Sequence, residues 1–128
     1  MCRSAVIELP AQPRSTGVAR RWVADLLTRW DLTGAVDDFR LVVSELVSNA
    51  VLHARTAIEV VLSIADGVIE LAVRDSNPRS QRPRVIDPSL DATGGRGLLL
   101  VQELSDEWGV AERMNGKDVW LRRVSASC

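Results

Sequence analysis

The sequence contains only two cysteines and one histidine, too few for a disulfide framework or a zinc cluster. Both cysteines, Cys2 and Cys128, lie at the ends of the chain. No stretch approaches the roughly 18 to 20 apolar residues of a membrane span, and the first residues lack the apolar segment of a signal peptide. The 16 basic and 17 acidic residues almost cancel, so net charge favours neither nucleic acid nor an anionic membrane. We therefore expect a cytoplasmic protein without direct nucleic-acid or membrane partners.

The length of 128 residues, with 46% of them hydrophobic, suits a single domain with a buried core. Ser15 is the predicted N-cap of a first helix. Apolar residues recur every four positions along that helix: Val18, Trp22, Leu26 and Trp30. A second helix is predicted over 35–54, and a third opens at Gly94 and runs to about Asp106. The segment 76–93 has three prolines, three arginines and no period, so we interpret it as a long loop.

Strand patterns flank two short turns, Asp66-Gly67 and Asn115-Gly116, which are typical of β-hairpins. The predicted strands cover 3–9, 57–65, 68–74, 108–114 and 118–124. Hairpins imply antiparallel pairing, and the helices must cover one face of the resulting sheet. The expected fold is a two-layer α+β sandwich, in which three helices cover one face of a mixed, mostly antiparallel sheet.

Three polar residues of the second helix, Glu45, Asn49 and His53, are spaced by four and lie along one stripe beside its apolar face. Asn49 offers a neutral oxygen to a Mg²⁺ ion, which takes few protein ligands. Glu45 is placed to accept a proton from an attacking hydroxyl. The alternative interpretation of the stripe is a solvated helix edge. His53 alone is more typical of a packed structural residue than of a catalyst.

Glycines cluster in Gly94-Gly95-Arg96-Gly97-Leu98, at the start of the third helix. Exposed backbone amides at a helix start bind phosphate, and glycines allow a close approach. The cluster is not a Rossmann fingerprint, because it follows a loop and lacks the third glycine. It is not a Walker A loop either. The alternative is a loop that caps a helix. Arg96 either adds charge to phosphate binding or is a solvated loop residue.

Asp75 ends a predicted strand and begins the long loop. A carboxylate fixed at that point can accept a hydrogen bond from an exocyclic amine such as that of adenine. The alternative is an Asx-turn residue.

Taken in order, these motifs resemble those of the histidine-kinase-like ATPase superfamily, which has the Bergerat ATP-binding fold. The segment 45–54, ELVSNAVLHA, is similar to its N-box, and the trailing His-Ala is similar to the anti-sigma-factor serine/threonine kinase branch. Asp75-Ser76-Asn77-Pro78-Arg79 resembles a degenerate first glycine box, and Gly95-Arg96-Gly97-Leu98 resembles the second. The resemblance covers nearly the whole chain.

The resemblance implies ATP and Mg²⁺ as cofactors. Asn49 would hold the metal, Glu45 would be the catalytic base, and Asp75 would bind the adenine amine. The remaining nucleotide-site residues would be Asn77, Gly95, Arg96, Gly97 and Leu98, with 76–93 as the ATP lid. Members of this kind bind a sigma factor, phosphorylate a serine or threonine on a small antagonist protein, and often dimerise.

The chain departs from the family pattern in two places. Asn77 and Arg79 stand where the first glycine box usually has glycines. Lys117-Asp118 stands where the last strand often has a threonine near the adenine, and the added carboxylate is expected to weaken the water network around the base.

Three other functions are alternatives to this one. The single histidine lies inside the N-box, which argues against histidine autophosphorylation. An ATP-binding module that sequesters a partner without phosphorylating it remains an alternative. An interaction protein without any nucleotide fits the joint motifs less well.

Overall fold

The computed structural model describes residues 2–53, 55–76 and 94–125, with side chains described for all of these except 94–98. The elements follow the order β1 (Arg3–Leu9), α1 (Arg14–Arg29), a 3₁₀ turn (Thr33–Ala35), α2 (Val36–His53), β2 (Ile58–Ala65), β3 (Val68–Asp75), α3 (Gly94–Leu104), β4 (Glu107–Arg113) and β5 (Gly116–Val124). None of the helices within these ranges has the length and apolar character needed to cross a membrane.

The five strands form one sheet in the order β1-β2-β3-β5-β4. All four strand pairings are antiparallel, where the sequence left room for a mixed sheet. The β2–β3 turn uses Asp66 at φ 51° and Gly67 at φ 76°, the left-handed pair that a tight hairpin needs. Both predicted hairpins and the two-layer α+β architecture are confirmed.

The core lies between the sheet and the helices. In β2, every second residue from Ile58 to Ile64 is buried, and in β3 every second residue from Ile69 to Asp75 is buried. Phe39 of α2 is the largest side chain that is fully buried. Helix α2 packs against α1, against α3 and on β3. The alternation in β3 therefore puts the Asp75 side chain on the helix-covered face of the sheet.

The start of α1 differs from the sequence prediction. The N-cap is Pro13 rather than Ser15, and no side chain caps the helix. Ser15 is buried inside the first turn, where its hydroxyl donates a hydrogen bond to the Pro10 carbonyl at 2.6 Å. Pro13 has φ −55°, which is already suitable for a helix, and proline has no N–H that needs a partner there.

The opposite face of the sheet carries a chain of ion pairs over four strands. Arg74 on β3 contacts Glu59 on β2 and Asp118 on β5, each at 3.1 Å. Asp118 also accepts a hydrogen bond from Arg113 on β4 at 2.8 Å. These side chains alternate with the core residues, so Asp118 points away from the helices.

Candidate nucleotide site

The polar stripe of α2 lies beside the buried face of the helix, as predicted. Glu45 and Asn49 are half-buried, and the four-residue step separates them by about 6 Å along the axis. Neither side chain makes a hydrogen bond or ion pair within the described part of the chain. A carboxylate and a carboxamide at the core edge are thus available to a ligand.

His53 is the last residue of α2 and is exposed. The interpretation that favoured a packed structural histidine is therefore wrong. The physical reason is its position at the C-terminal end of α2: the buried face ends with Ala50 and the partly buried Val51, and Leu52 is also exposed.

The residues present fit a Mg²⁺ ion that arrives with a nucleotide. Within the described ranges, no three acidic, histidine or cysteine side chains are grouped as a metal cage. Mg²⁺ commonly takes only one or two protein ligands and completes its shell with phosphate oxygens and water. The half-buried carboxamide of Asn49, which has no protein partner there, suits that role.

Asp75 is the last residue of β3 and is only 2% exposed. Its backbone is held from two sides. The Ser76 N–H donates a hydrogen bond to Thr56 Oγ1 at 3.1 Å, and the guanidinium of Arg113 donates one to the Asp75 carbonyl. The backbone that carries the carboxylate is therefore held in place at the end of the strand.

The ammonium of Lys117 on β5 faces the Asp75 carboxylate. The Lys117 Nζ lies 3.8 Å from Asp75 Oδ2, and the lysine side chain is 10% exposed. Burial lowers the pKa of Lys117 below its usual 10.5, although the negative charge of Asp75 opposes that shift. An acceptor and a cationic donor thus lie side by side on the helix-covered face.

This arrangement corrects the expectation for the last strand. Asp118, the carboxylate expected near the base, lies on the opposite face, paired with Arg74 and Arg113. Because side chains alternate along a strand, the neighbour Lys117 is the residue that reaches Asp75. The sequence signal for it was available, since Lys117 is the only lysine in the chain and directly follows a hairpin glycine.

Gly116 explains how β5 comes so close to Asp75. Its φ of +133° suits glycine alone, and a Cβ placed there would lie 2.1 Å from the Asp75 carbonyl oxygen. We expect Gly116→Ala to destabilise the protein by more than about 3 kcal/mol, because both the backbone conformation and the contact would have to change.

The matched control is Gly34→Ala, since a Cβ there would meet nothing within 4 Å. That variant should change the free energy of unfolding by no more than about 0.5 kcal/mol in either direction. Urea denaturation of both variants measures the difference. Equal stability of the two variants would mean that the close approach of β5 to Asp75 does not require a glycine at position 116.

The depressed pKa of Lys117 makes a prediction for alkaline pH. Between its folded pKa and the unfolded value of 10.5, the unfolded chain binds more protons than the folded one. The free energy of unfolding attributable to Lys117 should therefore rise with pH in that window. Denaturation from pH 7 to 10.5, with both cysteines changed to serine, should show this rise, and Lys117→Met should abolish it. If the contribution of Lys117 to the free energy of unfolding instead falls with pH in that window, burial does not disfavour its charged form.

Helix α3 begins at Gly94, as predicted, so Gly95 and Gly97 lie in its first turn. The first amides of a helix have no partner within the helix and favour anions. Helix α3 packs against α2, the helix that carries Asn49. The side chains of Arg96 and Leu98, together with Asn77, Arg79 and the expected lid up to residue 93, lie outside what the structure describes.

Comparison with known proteins identifies the family of this chain. The family model of the histidine kinase-like ATPase domain matches residues 9–123. The chain belongs to that family.

Curated relatives include two proteins named anti-sigma F factor. The one from Geobacillus stearothermophilus is 28% identical over 132 residues, which is 92% of this chain and 90% of the relative. The one from Geobacillus kaustophilus (strain HTA426) is 28% identical over 131 residues, 91% of this chain and 89% of the relative.

Two solved structures share the fold. The RsbU and RsbW domains of Rv1364c from Mycobacterium tuberculosis match with a TM-score of 0.72 and 20% identity. That match covers 95% of this chain but only 32% of the larger protein. The histidine kinase domain of a blue-light activated histidine kinase from Erythrobacter litoralis matches with a TM-score of 0.54 and 25% identity, over 88% of this chain and 61% of that chain.

Proposed function

We propose that this chain is an ATP-binding anti-sigma regulator that transfers the terminal phosphate of ATP to a serine or threonine of an antagonist protein, and that also binds a sigma factor. The observation that carries the proposal is the joint presence of two features in a member of this ATPase family: a half-buried Glu45–Asn49 stripe without hydrogen bonds among the described residues, and a buried Asp75 whose backbone is held in place.

Each part of the nucleotide has a candidate partner. The Asp75 carboxylate accepts a hydrogen bond from the exocyclic amine of adenine. The backbone amides at the start of α3, including Gly95 and Gly97, receive the phosphates. Asn49 supplies one oxygen to the Mg²⁺ that accompanies them. Bound Mg²⁺ would neutralise charge on the phosphate oxygens.

The transfer step then needs a base. The hydroxyl oxygen of the antagonist attacks the terminal phosphorus, and a new P–O bond forms as the bond to the leaving ADP breaks. The hydroxyl proton passes to the Glu45 carboxylate. Glu45 suits this role because it is half-buried, makes no described hydrogen bond, and lies one helical turn from Asn49.

The partners are proposed by similarity. Proteins named anti-sigma F factor match about nine-tenths of this chain at 28% identity. A sigma factor, an antagonist that accepts phosphate, and a second copy of the chain in a homodimer follow from that similarity.

The proposal is tested by mixing the tagged chain with a lysate of its own host and ATP labelled on the terminal phosphate. The expected result is a small protein labelled on serine or threonine, and a sigma factor retained on the chain, both identified by mass spectrometry. A retained sigma factor with no labelled protein would favour the alternative, a sequestering module without kinase activity. The replacement of two first-box glycines by Asn77 and Arg79 is the observation in favour of that alternative.

Asn49→Ala should reduce Mg²⁺-dependent ATP affinity and phosphate transfer together, each by at least about 10-fold, because the variant removes the only proposed protein ligand of the metal. Gln12→Ala is the matched control, since Gln12 is an exposed carboxamide outside the helices. Calorimetry with and without Mg²⁺ measures the effect. Unchanged Mg²⁺ dependence in Asn49→Ala would remove Asn49 from the metal site.

A further inference from the structure

Lys117 is an unusual residue for this chain. It is the only lysine among 16 basic residues, and its side chain is 10% exposed, whereas Arg74 and Arg113 of the ion-pair chain are 43% and 40% exposed. Buried ion pairs add little stability compared with a well-packed apolar pair. Stability alone is thus a poor reason for a lysine at this position, and a ligand is a better one.

The β4–β5 hairpin directs this side chain to Asp75. Gly116 at φ +133° brings the start of β5 against the Asp75 backbone, and Arg113 at the end of β4 donates a hydrogen bond to the Asp75 carbonyl. Lys117 is the next residue along β5, on the helix-covered face, with Nζ 3.8 Å from Asp75 Oδ2. The hairpin therefore fixes both the acceptor and the cation beside it.

The two groups differ in hydrogen-bonding character. An ionised carboxylate only accepts hydrogen bonds, and an ammonium only donates them. The adenine edge has the complementary pattern, because the amine is a donor and the ring nitrogens on either side of it, N1 and N7, are acceptors. A single adenine edge can satisfy both groups at once.

We infer that Lys117 is a second base-recognition residue, which donates a hydrogen bond to a ring nitrogen of adenine while Asp75 accepts one from the adjacent amine. This inference rests on the proposed binding of ATP. Burial supports it, since a desolvated ammonium whose pKa is lowered gains more from a new acceptor than a solvated one. Without a nucleotide, the same ammonium balances the charge of the buried carboxylate.

The inference is tested by calorimetry of the full chain with Mg²⁺ and three nucleotides: ATP, 1-deaza-ATP and 7-deaza-ATP. One of the two analogues should bind about 10- to 100-fold more weakly than ATP, because it lacks the acceptor for a charged donor. Lys117→Met, which keeps the length of the side chain, should bind ATP and that analogue equally. Arg20→Met is the control for loss of an exposed cation on α1 and should retain the wild-type preference.

The other outcomes of this titration separate the role of Lys117 from ATP binding itself. Wild-type protein that binds ATP and both analogues equally overturns the role of Lys117 but leaves ATP binding intact. The role of Lys117 is also overturned if Lys117→Met keeps the preference for ATP over the weaker-binding analogue, or if it binds ATP more tightly than the wild-type protein. Wild-type protein that binds none of the nucleotides overturns the proposed function as well. The O6 and N1–H of guanine would also match this pair. If GTP binds more tightly than ATP, adenine is therefore not the base that the pair recognises.

A second measurement avoids substitution and so does not depend on whether a variant folds. Reductive methylation can modify only Lys117 and the N-terminal amine, since the chain has no other lysine. ATP with Mg²⁺ should slow methylation of Lys117 by at least about 10-fold while the N-terminal amine reacts as before. Equal rates for Lys117 with and without ATP, at concentrations that saturate binding, would overturn the contact.

Discussion

Glu45→Gln is expected to slow phosphate transfer to the antagonist by about 10²- to 10⁴-fold, the usual contribution of a general base. The substituted amide keeps the size and polarity of the side chain but cannot take up the hydroxyl proton. Glu45 makes no hydrogen bond or ion pair with described residues, so the substitution removes none there. ATP affinity and partner binding should stay within about 2-fold of wild type, because Glu45 is assigned to neither. Single-turnover transfer from labelled ATP measures the rate.

The matched control is Glu8→Gln on β1, since Glu8 is an exposed carboxylate on the edge strand. It should transfer phosphate at the wild-type rate. Normal transfer by Glu45→Gln would place the base elsewhere. An equal fall in transfer and in ATP affinity would instead mean that Glu45 acts in nucleotide binding.

Asp75→Asn is expected to weaken ATP binding by about 10- to 100-fold, because the variant replaces a charged acceptor with a neutral amide. The same change removes the negative charge of Asp75 from beside the buried Lys117 ammonium. Removing one member of a buried pair is strongly destabilising, and we expect a loss of about 3 kcal/mol in the free energy of unfolding. Calorimetry and urea denaturation separate the two effects.

The double variant Asp75→Asn/Lys117→Met distinguishes recognition from stability. It removes both charges, so most of the lost stability should return while ATP affinity stays low. If the double variant recovers ATP affinity as well, Asp75 supports the fold and does not recognise the base. If Asp75→Asn is as stable as wild type, the ion pair with Lys117 is not an important contact.

Much of the fold could be predicted because local chemistry determines it. The Asp66-Gly67 turn needs two left-handed residues and has them, which sets the β2–β3 register. The four-residue spacing of apolar side chains located α1. The start of α1 was wrong by two residues, because Pro13 and Ser15 are both plausible at a helix start and only the fold shows that Ser15 is buried.

The surroundings of Asp75 could not be predicted in the same way. The motif located the carboxylate, but its partner comes from β5, which is brought beside β3 by a pairing more than 40 residues apart in sequence, such as Arg74 with Asp118. A shift of one residue in that register exchanges the two faces of the strand. The family resemblance therefore implied that Lys117-Asp118 lay near the base, and only the register showed that the lysine, not the aspartate, faces Asp75.

We propose that this member of the histidine kinase-like ATPase family holds ATP through Asn49 and Asp75. The most direct test of this proposal is a calorimetric titration of the wild-type chain with ATP and with GTP, each with and without Mg²⁺. We predict one ATP bound per chain, loss of most of the affinity without Mg²⁺, and binding of GTP at least about 10-fold weaker. Absence of ATP binding, or equal affinity for the two nucleotides regardless of Mg²⁺, would contradict the account.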